Sequence, residues 1–190
     1  NAVFNIGRIA ILQKDYEMAF SSLRKSLLLE TQLYGAKSVE SIDTLNMIGF
    51  AYYSTERYKQ ATSIFKEALS IVTANFGSVH EKVAESLVNV GMVLEREGDL
   101  KEALRCFSTA RAVCEKAGLD ERNGTVQTVI RSANQVEEQL RLQSVGFSKH
   151  VNVTSPQSYR AHGRAEQRDE THSDGTMDMH AHTVSLQYSR

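Results

Sequence analysis

Apolar residues over the first 140 positions recur every three or four residues, which is the spacing of one face of an α-helix. One apolar stripe covers 42–52 and a second covers 58–72. The polar stretch 54–57 separates them, and so short a break joins two antiparallel helices into a hairpin. The same pattern along the chain predicts helices at roughly 1–13, 15–33, 38–54, 57–74, 80–96 and 99–116.

The hairpins repeat with a period of 42 residues. Columns of similar residues stand at this spacing: Gly7, Gly49 and Gly91; Tyr16, Tyr58 and Leu100; Ala19, Ala61 and Ala103; Leu23, Phe65 and Phe107; Ser26, Ala68 and Ala110. Glycine in each first helix and alanine in each second helix let the two backbones approach closely, and the leucine or phenylalanine fills the space that remains. A larger side chain at the crossing would overpack it, at a cost of about 1–3 kcal/mol.

The chain therefore divides into helical units and a tail. We predict repeat units at 1–35, 36–77 and 78–119, followed by a capping helix within 120–145 whose apolar stripe has no partner helix. In 146–190 apolar residues are scattered, and five of the six histidines of the chain lie there. Because such a stretch buries too little apolar surface to offset the entropy of ordering, we expect a disordered C-terminal tail.

The columns resemble the tetratricopeptide repeat. Gly49 and Ala61 stand 12 residues apart, as they do in that motif, although the usual period is about 34 residues. The longer period is similar to the repeats of kinesin light chain and nephrocystin. Their linker reads Gly-x-x-His-Pro-x-Val-Ala, which residues 77–84 match except that Glu81 replaces the proline. The resemblance covers 1–145 and implies an all-α fold, a right-handed superhelix of antiparallel helix hairpins.

The resemblance also implies a concave groove, lined by the first helix of each unit, that binds peptides or helices of other proteins. The groove residues that it implies in this chain are Asn5, Arg8, Asn46, Phe50, Tyr53, Asn89, Met92, Arg96, Arg131 and Asn134. Asparagine amides pair with peptide backbones, arginines bind carboxylates, and aromatic or methionine side chains offer apolar contacts. The alternative is that these are ordinary half-exposed residues of a helix surface.

We therefore expect a noncatalytic interaction module that recognises a peptide or an adaptor segment, as kinesin light chains recognise cargo. The carboxylate clamp of chaperone-binding repeats is missing from the sequence, because Phe4, Arg8, Glu85 and Asn89 stand where the resemblance would place its lysine, asparagine and basic residues. A co-chaperone role is therefore disfavoured.

Two other functions stay open. Apolar residues such as Val3 and Ile6 at an uncapped N-terminal end would let two copies associate. Alternatively, the repeats form the regulatory end of a larger protein or enzyme, since a chain that begins at Asn1 is expected to be a piece of a longer one.

Composition excludes some partners. The net charge is −1, from 22 basic and 23 acidic residues, so no general field attracts nucleic acid or an anionic membrane. No apolar run is long enough for a transmembrane helix, and no leader pattern indicates secretion. We therefore expect a cytoplasmic protein with a protein or peptide partner.

The candidate reactive residues have plainer explanations. Cys106 and Cys114 lie eight residues apart on one predicted helix, ~12 Å along its axis, which is too far for a disulfide. His180 and His182 lack the fixed ligands of a structural metal site. His80 has no partner at catalytic spacing, and no glycine-rich phosphate loop is present. We predict no enzyme activity, no cofactor and no metal.

Overall fold

The computed structural model describes residues 2–151, with side chains to 145, as α-helices joined by short turns and without strands. The helices of this part of the chain are α1 (Ala2–Leu12), α2 (Tyr16–Tyr34), α3 (Ser41–Ser54), α4 (Tyr58–Phe76), α5 (Glu81–Glu97), α6 (Leu100–Lys116) and α7 (Gly124–Val151). The first six lie within a few residues of the predicted helices, because apolar periodicity and polar breaks mark their ends.

The helices pack as successive hairpins: α1 pairs with α2, α3 with α4, and α5 with α6. Each new hairpin also packs its first helix on the second helix of the hairpin before it, so that α3 contacts α2 and α5 contacts α4. The last helix, α7, packs on α6 and α5 in the same way. The predicted all-α solenoid is confirmed.

The close crossing within each hairpin depends on its glycine. A Cβ atom on Gly49 would lie 2.7 Å from Cε1 of Phe65, and one on Gly91 would lie 2.6 Å from Cε1 of Phe107. Real Cβ atoms do not come this near to a carbon, so any larger residue would push the ring out of place. The packing that the columns predict is therefore present in the structure.

The junction of the first two hairpins contains a carboxylate. Glu30 on α2 is only 8% exposed, and its Oε1 accepts hydrogen bonds from Ser26 Oγ at 2.9 Å and Thr44 Oγ1 at 3.0 Å. One and two periods later the same position holds Val72 and Cys114, which are buried in an apolar cluster. The repeat period does not reveal this difference, because a lone glutamate in a helix usually faces water.

The C-terminal helix α7 continues past residue 145, where the sequence predicts that the tail begins, to Val151. A single glycine such as Gly146 costs a helix only about 1 kcal/mol, and Pro156 lies further on, so the sequence has no stop signal before Val151. The remainder of the predicted tail, 152–190, lies outside the described residues.

Candidate functional site

All of the predicted groove residues lie on α1, α3, α5 and α7. Those whose side chains are exposed are Asn5, Arg8, Arg96, Arg131 and Asn134. Those that are half-buried are Asn46, Phe50, Tyr53, Asn89 and Met92. The half-buried members are all on α3 and α5, the helices that pack against helices of the stack on both sides.

The structure places two of these residues, Phe50 and Arg96, against a third, Tyr53, and adds a fourth. The rings of Phe50 and Tyr53 are stacked with centroids 6.2 Å apart, and the guanidinium carbon of Arg96 lies 5.9 Å from the Tyr53 ring centroid. Tyr58 of α4 meets the edge of Tyr53 at 6.0 Å. We call Phe50, Tyr53, Tyr58 and Arg96 the aromatic cluster, which joins α3 and α4 to α5.

Burial sets the charge state of this cluster. Burial raises the pKa of Tyr53, and the nearby Arg96 guanidinium acts in the opposite direction. Tyr53 is therefore a neutral phenol near neutral pH and is able both to donate and to accept a hydrogen bond. Arg96 is exposed and cationic, so the cluster presents a positive charge beside an aromatic surface.

The asparagines among the groove residues do not form one column. Asn5 and Asn89 are two periods apart, but the position between them is Met47, which is only 4% exposed. Asn46 lies one residue earlier on α3, and its Oδ1 atom is buried without a hydrogen-bond partner among the described residues. The amides on α3 and α5 consequently do not offer equivalent hydrogen bonds along the stack.

The groove residues on α7, Arg131 and Asn134, make no contact with the aromatic cluster that the structure records. The helix is instead attached to α5 by neighbouring glutamines: Nε2 of Gln135 and Nε2 of Gln139 each donate to Glu95 Oε1 at 2.8 Å. Sequence reasoning did not find this attachment, although Gln139 follows Glu95 by about one period.

A second polar attachment holds the start of α7. Asn123 Nδ2 and Thr125 Oγ1 donate to Glu81 Oε1 at 2.8 and 2.9 Å. Thr125 Oγ1 also lies 3.3 Å from Glu85 Oε1, and burial raises the pKa of Glu85. Both attachments hold α7 against α5.

Comparison with known proteins identifies the first two hairpins. Residues 1–74 match the family model of the tetratricopeptide repeat. These residues are tetratricopeptide repeats. No curated protein matches its sequence.

Solved structures share the fold of this helical array at low sequence identity. BtubC (BKLC) from P. vanneervenii has a TM-score of 0.58 at 15% identity, over 88% of this chain and 70% of that one. A putative kinesin light chain with nearly identical TPR-like repeats from Podosopora anserina has a TM-score of 0.58 at 12% identity, over 81% and 76% of the two chains. The N-terminal domain of stress-induced protein-1 from C. elegans has a TM-score of 0.53 at 16% identity, over 72% and 92%. The predicted resemblance to repeats of kinesin light chain type is thus supported at the level of the fold.

Other candidate chemistry in the helical array is accounted for by packing and capping. Cys106 and Cys114 are free thiols whose pKa burial raises, so both are protonated near neutral pH. His80 Nδ1 accepts a hydrogen bond from Lys82 N at 3.1 Å and so caps the start of α5. Among the side chains described, those of 2–145, no group of three or more histidines, cysteines or acids could hold a metal ion. Within 2–151 no helix is long and apolar enough to cross a membrane. His180 and His182 lie outside the described residues.

Sequence reasoning missed a second aromatic contact between the first two hairpins. The ring centroids of Phe20 on α2 and Tyr52 on α3 lie 4.6 Å apart, and Arg24 Nη2 donates a hydrogen bond to the Tyr52 hydroxyl at 3.1 Å. The guanidinium carbons of Arg24 and Arg57 lie 5.7 and 5.8 Å from the Phe20 ring centroid. In the sequence, the only sign of this contact is that residues 20 and 52 are both aromatic. Packing in the apolar core would explain aromatic residues there equally well.

Proposed function

We propose that this tetratricopeptide protein is a noncatalytic scaffold that binds a peptide or an adaptor segment of another protein along the predicted groove residues. The fold supports this, because tetratricopeptide arrays serve as protein-interaction modules. The observation that carries the proposal is the aromatic cluster, in which predicted groove residues from α3 and α5 meet and expose Arg96 beside Tyr53.

The chemistry of the groove residues favours a partner with acidic and aromatic side chains. Arg8, Arg96 and Arg131 are exposed cations, and each is able to bind a carboxylate through two parallel hydrogen bonds. Half-buried Phe50 and Met92 offer apolar contact surface. We accordingly propose recognition of a cytoplasmic cargo or adaptor segment, in the manner of kinesin light chains.

The test is a binding titration with labelled peptides in which tryptophan or phenylalanine is flanked by aspartate or glutamate, read by fluorescence anisotropy. Arg96→Ala should weaken binding by about tenfold, the effect of losing one charge-assisted contact of roughly 1.4 kcal/mol. Arg105→Ala is the matched control, since Arg105 is an exposed arginine on α6, away from the groove residues. Equal affinity of the two variants, or the absence of binding to any such peptide, would contradict the proposal.

A specific observation favours self-association as a second function. Ile6 and Ile9 on α1 are each 49% exposed, whereas their counterparts one period later, Ile48 and Ala51, are 3% and 0% exposed because α2 covers them. A second copy covering this apolar face of α1 would remove it from water. Sedimentation equilibrium should then show a dimer that Ile6→Ser with Ile9→Ser returns to monomer. A monomer at all concentrations would exclude this function.

A further inference from the structure

A pocket of about 530 Å³ opens between α1, the C-terminal end of α2 and the start of α3. Its apolar walls are formed by Phe4, Leu29, Leu33 and Tyr34, and Leu33 and Tyr34 are 72% and 59% exposed. The volume falls within the range of about 300–1,000 Å³ that is typical of ligand pockets. We call it the junction pocket.

The charged residues that line the junction pocket are all acidic. Glu40 and Asp43, at the start of α3, are exposed at its rim, and the hydrogen-bonded carboxylate of Glu30 lies deeper. No lysine, arginine or histidine is among the lining residues. The pocket therefore combines apolar walls with negative potential, which favours cationic ligands and repels anionic ones.

At the equivalent place one repeat later the apolar side chains are covered. Phe76, the counterpart of Tyr34, stacks on His80 with ring centroids 4.7 Å apart, and Ile71 is 3% exposed. In the first junction the counterpart of His80 is Ser38, which has no ring to hold Tyr34. The junction pocket is thus a property of these particular side chains and not of the repeat backbone.

We propose that the junction pocket binds a segment of a partner protein in which leucine-sized apolar side chains are flanked by arginine or lysine. The apolar side chains displace water from Leu29, Leu33 and Tyr34, and the flanking cations meet the carboxylates of Glu40 and Asp43. This charge preference is opposite to that of the arginines among the groove residues. The pocket would therefore recognise a different segment, or the basic end of a longer one.

The test uses methyl NMR of the full chain titrated with the peptide Gly-Ser-Arg-Leu-Leu-Arg-Ser-Gly. The methyl signals of Leu29 and Leu33 should shift and saturate, while that of Ile71, in the junction one repeat later, stays in place. The double variant Glu40→Gln with Asp43→Asn should raise the Kd by about tenfold, the effect of losing two charged contacts. Glu67→Gln, which removes an exposed carboxylate from α4, should leave the Kd unchanged.

Several outcomes would overturn the proposal. One is a peptide whose arginines are replaced by glutamate binding as tightly as the original. Another is a double variant that melts at a lower temperature but keeps its Kd, which would show that the two acids serve only the start of α3. Shifts at Met92 in place of Leu33 would assign the peptide to the groove. Shifts of Leu29 and Leu33 that depend on protein concentration alone would assign the pocket to a second copy.

Discussion

The junction of the first and second repeats and the junction of the second and third use equivalent positions but have different interiors. In the first, Glu30 is buried and accepts a hydrogen bond from Thr44 at 3.0 Å. In the second, Val72 takes the place of Glu30, and Ser86, in the place of Thr44, bonds to the backbone oxygen of Lys82 at 2.8 Å. The 42-residue period determines where the helices lie. Individual side chains decide whether a junction accommodates a buried carboxylate and whether a pocket forms there.

The largest expected effect comes from moving the carboxylate to the apolar junction. Val72→Glu places a carboxylate among buried apolar side chains, and the hydroxyl of Ser86 is already bonded to the backbone. Burial of an uncompensated carboxylate should lower the free energy of unfolding by about 3 kcal/mol or more. Urea unfolding followed by circular dichroism measures the change.

The reciprocal exchange is the matched control. Glu30→Val with Ser26→Ala and Thr44→Ser gives the first junction the residues that the second has at these positions, so that the buried pair Ser26–Glu30 becomes alanine and valine. Because replacing a buried polar pair with apolar groups of similar volume is often neutral or stabilising, the free energy of unfolding should fall by no more than about 1 kcal/mol. If Val72→Glu and the reciprocal exchange lower the free energy of unfolding equally, the interiors of the two junctions do not differ in the way the structure indicates.

The helix crossings within the first and third repeats should differ in how much stability an added methyl group removes. Gly91→Ala should lower the free energy of unfolding by about 1–3 kcal/mol, because its Cβ would meet the fully buried Phe107 ring at 2.6 Å. A Cβ atom at residue 7 would lie 2.6 Å from Leu23 Cγ, but Gly7→Ala should lower the free energy of unfolding by less than Gly91→Ala does. The reason is that α1 packs only on α2 and α3, whereas α5 is held by α4, α6 and α7. Thermal unfolding of both variants measures the difference.

Gly124→Ala is the control for these two substitutions. No neighbouring atom lies within 4 Å of the Cβ position at Gly124, and its φ is not positive. Alanine there should leave the melting temperature unchanged or raise it, since alanine favours a helix over glycine. A loss at Gly124 equal to that at Gly91 would contradict the explanation from ring contact.

Much of this fold could be predicted from the sequence because the same contacts recur. Gly49 against Phe65 and Gly91 against Phe107 are one contact repeated, so the spacing of 42 residues indicates it twice. Contacts that occur once carry no such signal. The glutamate in the first junction is one of these, because no other repeat has an acid at that position.

The residues of the candidate site could be predicted from the sequence, but their contacts with one another could not. The resemblance predicts that Phe50, Tyr53 and Arg96 each face the groove, but no pattern in the sequence indicates that the guanidinium lies over the Tyr53 ring. Tyr53 and Glu95 are one period apart, and it is the next residue, Arg96, that makes the contact. A helix surface fixes which residues lie near one another, whereas the rotamers of long side chains decide which of them touch.

A smaller effect is expected at the turn inside each hairpin. Lys14, Glu56 and Gly98 stand one period apart, and all have left-handed backbone, with φ of 60°, 58° and 87°. Only glycine adopts this conformation without strain, so Gly98→Ala should lower the free energy of unfolding by about 1 kcal/mol. Glu56→Gly should raise it by up to about 1 kcal/mol. The pair of urea titrations would contradict this account if both substitutions changed stability in the same direction.

The smallest expected effect concerns the residues that cap α2, α4 and α6. Asp15 and Asp99 accept hydrogen bonds from backbone N–H groups in the first turns of α2 and α6, but their counterpart Arg57 caps nothing. Arg57→Asp would supply a cap of about 1 kcal/mol and remove a cation 5.8 Å from the Phe20 ring, a contact of roughly 0.5 kcal/mol. The net gain should be about 0.5 kcal/mol in the free energy of unfolding. Arg57→Ala removes only the cation and should lose stability, so the difference between the two variants measures the cap alone; a difference near zero would mean that α4 begins equally well without one.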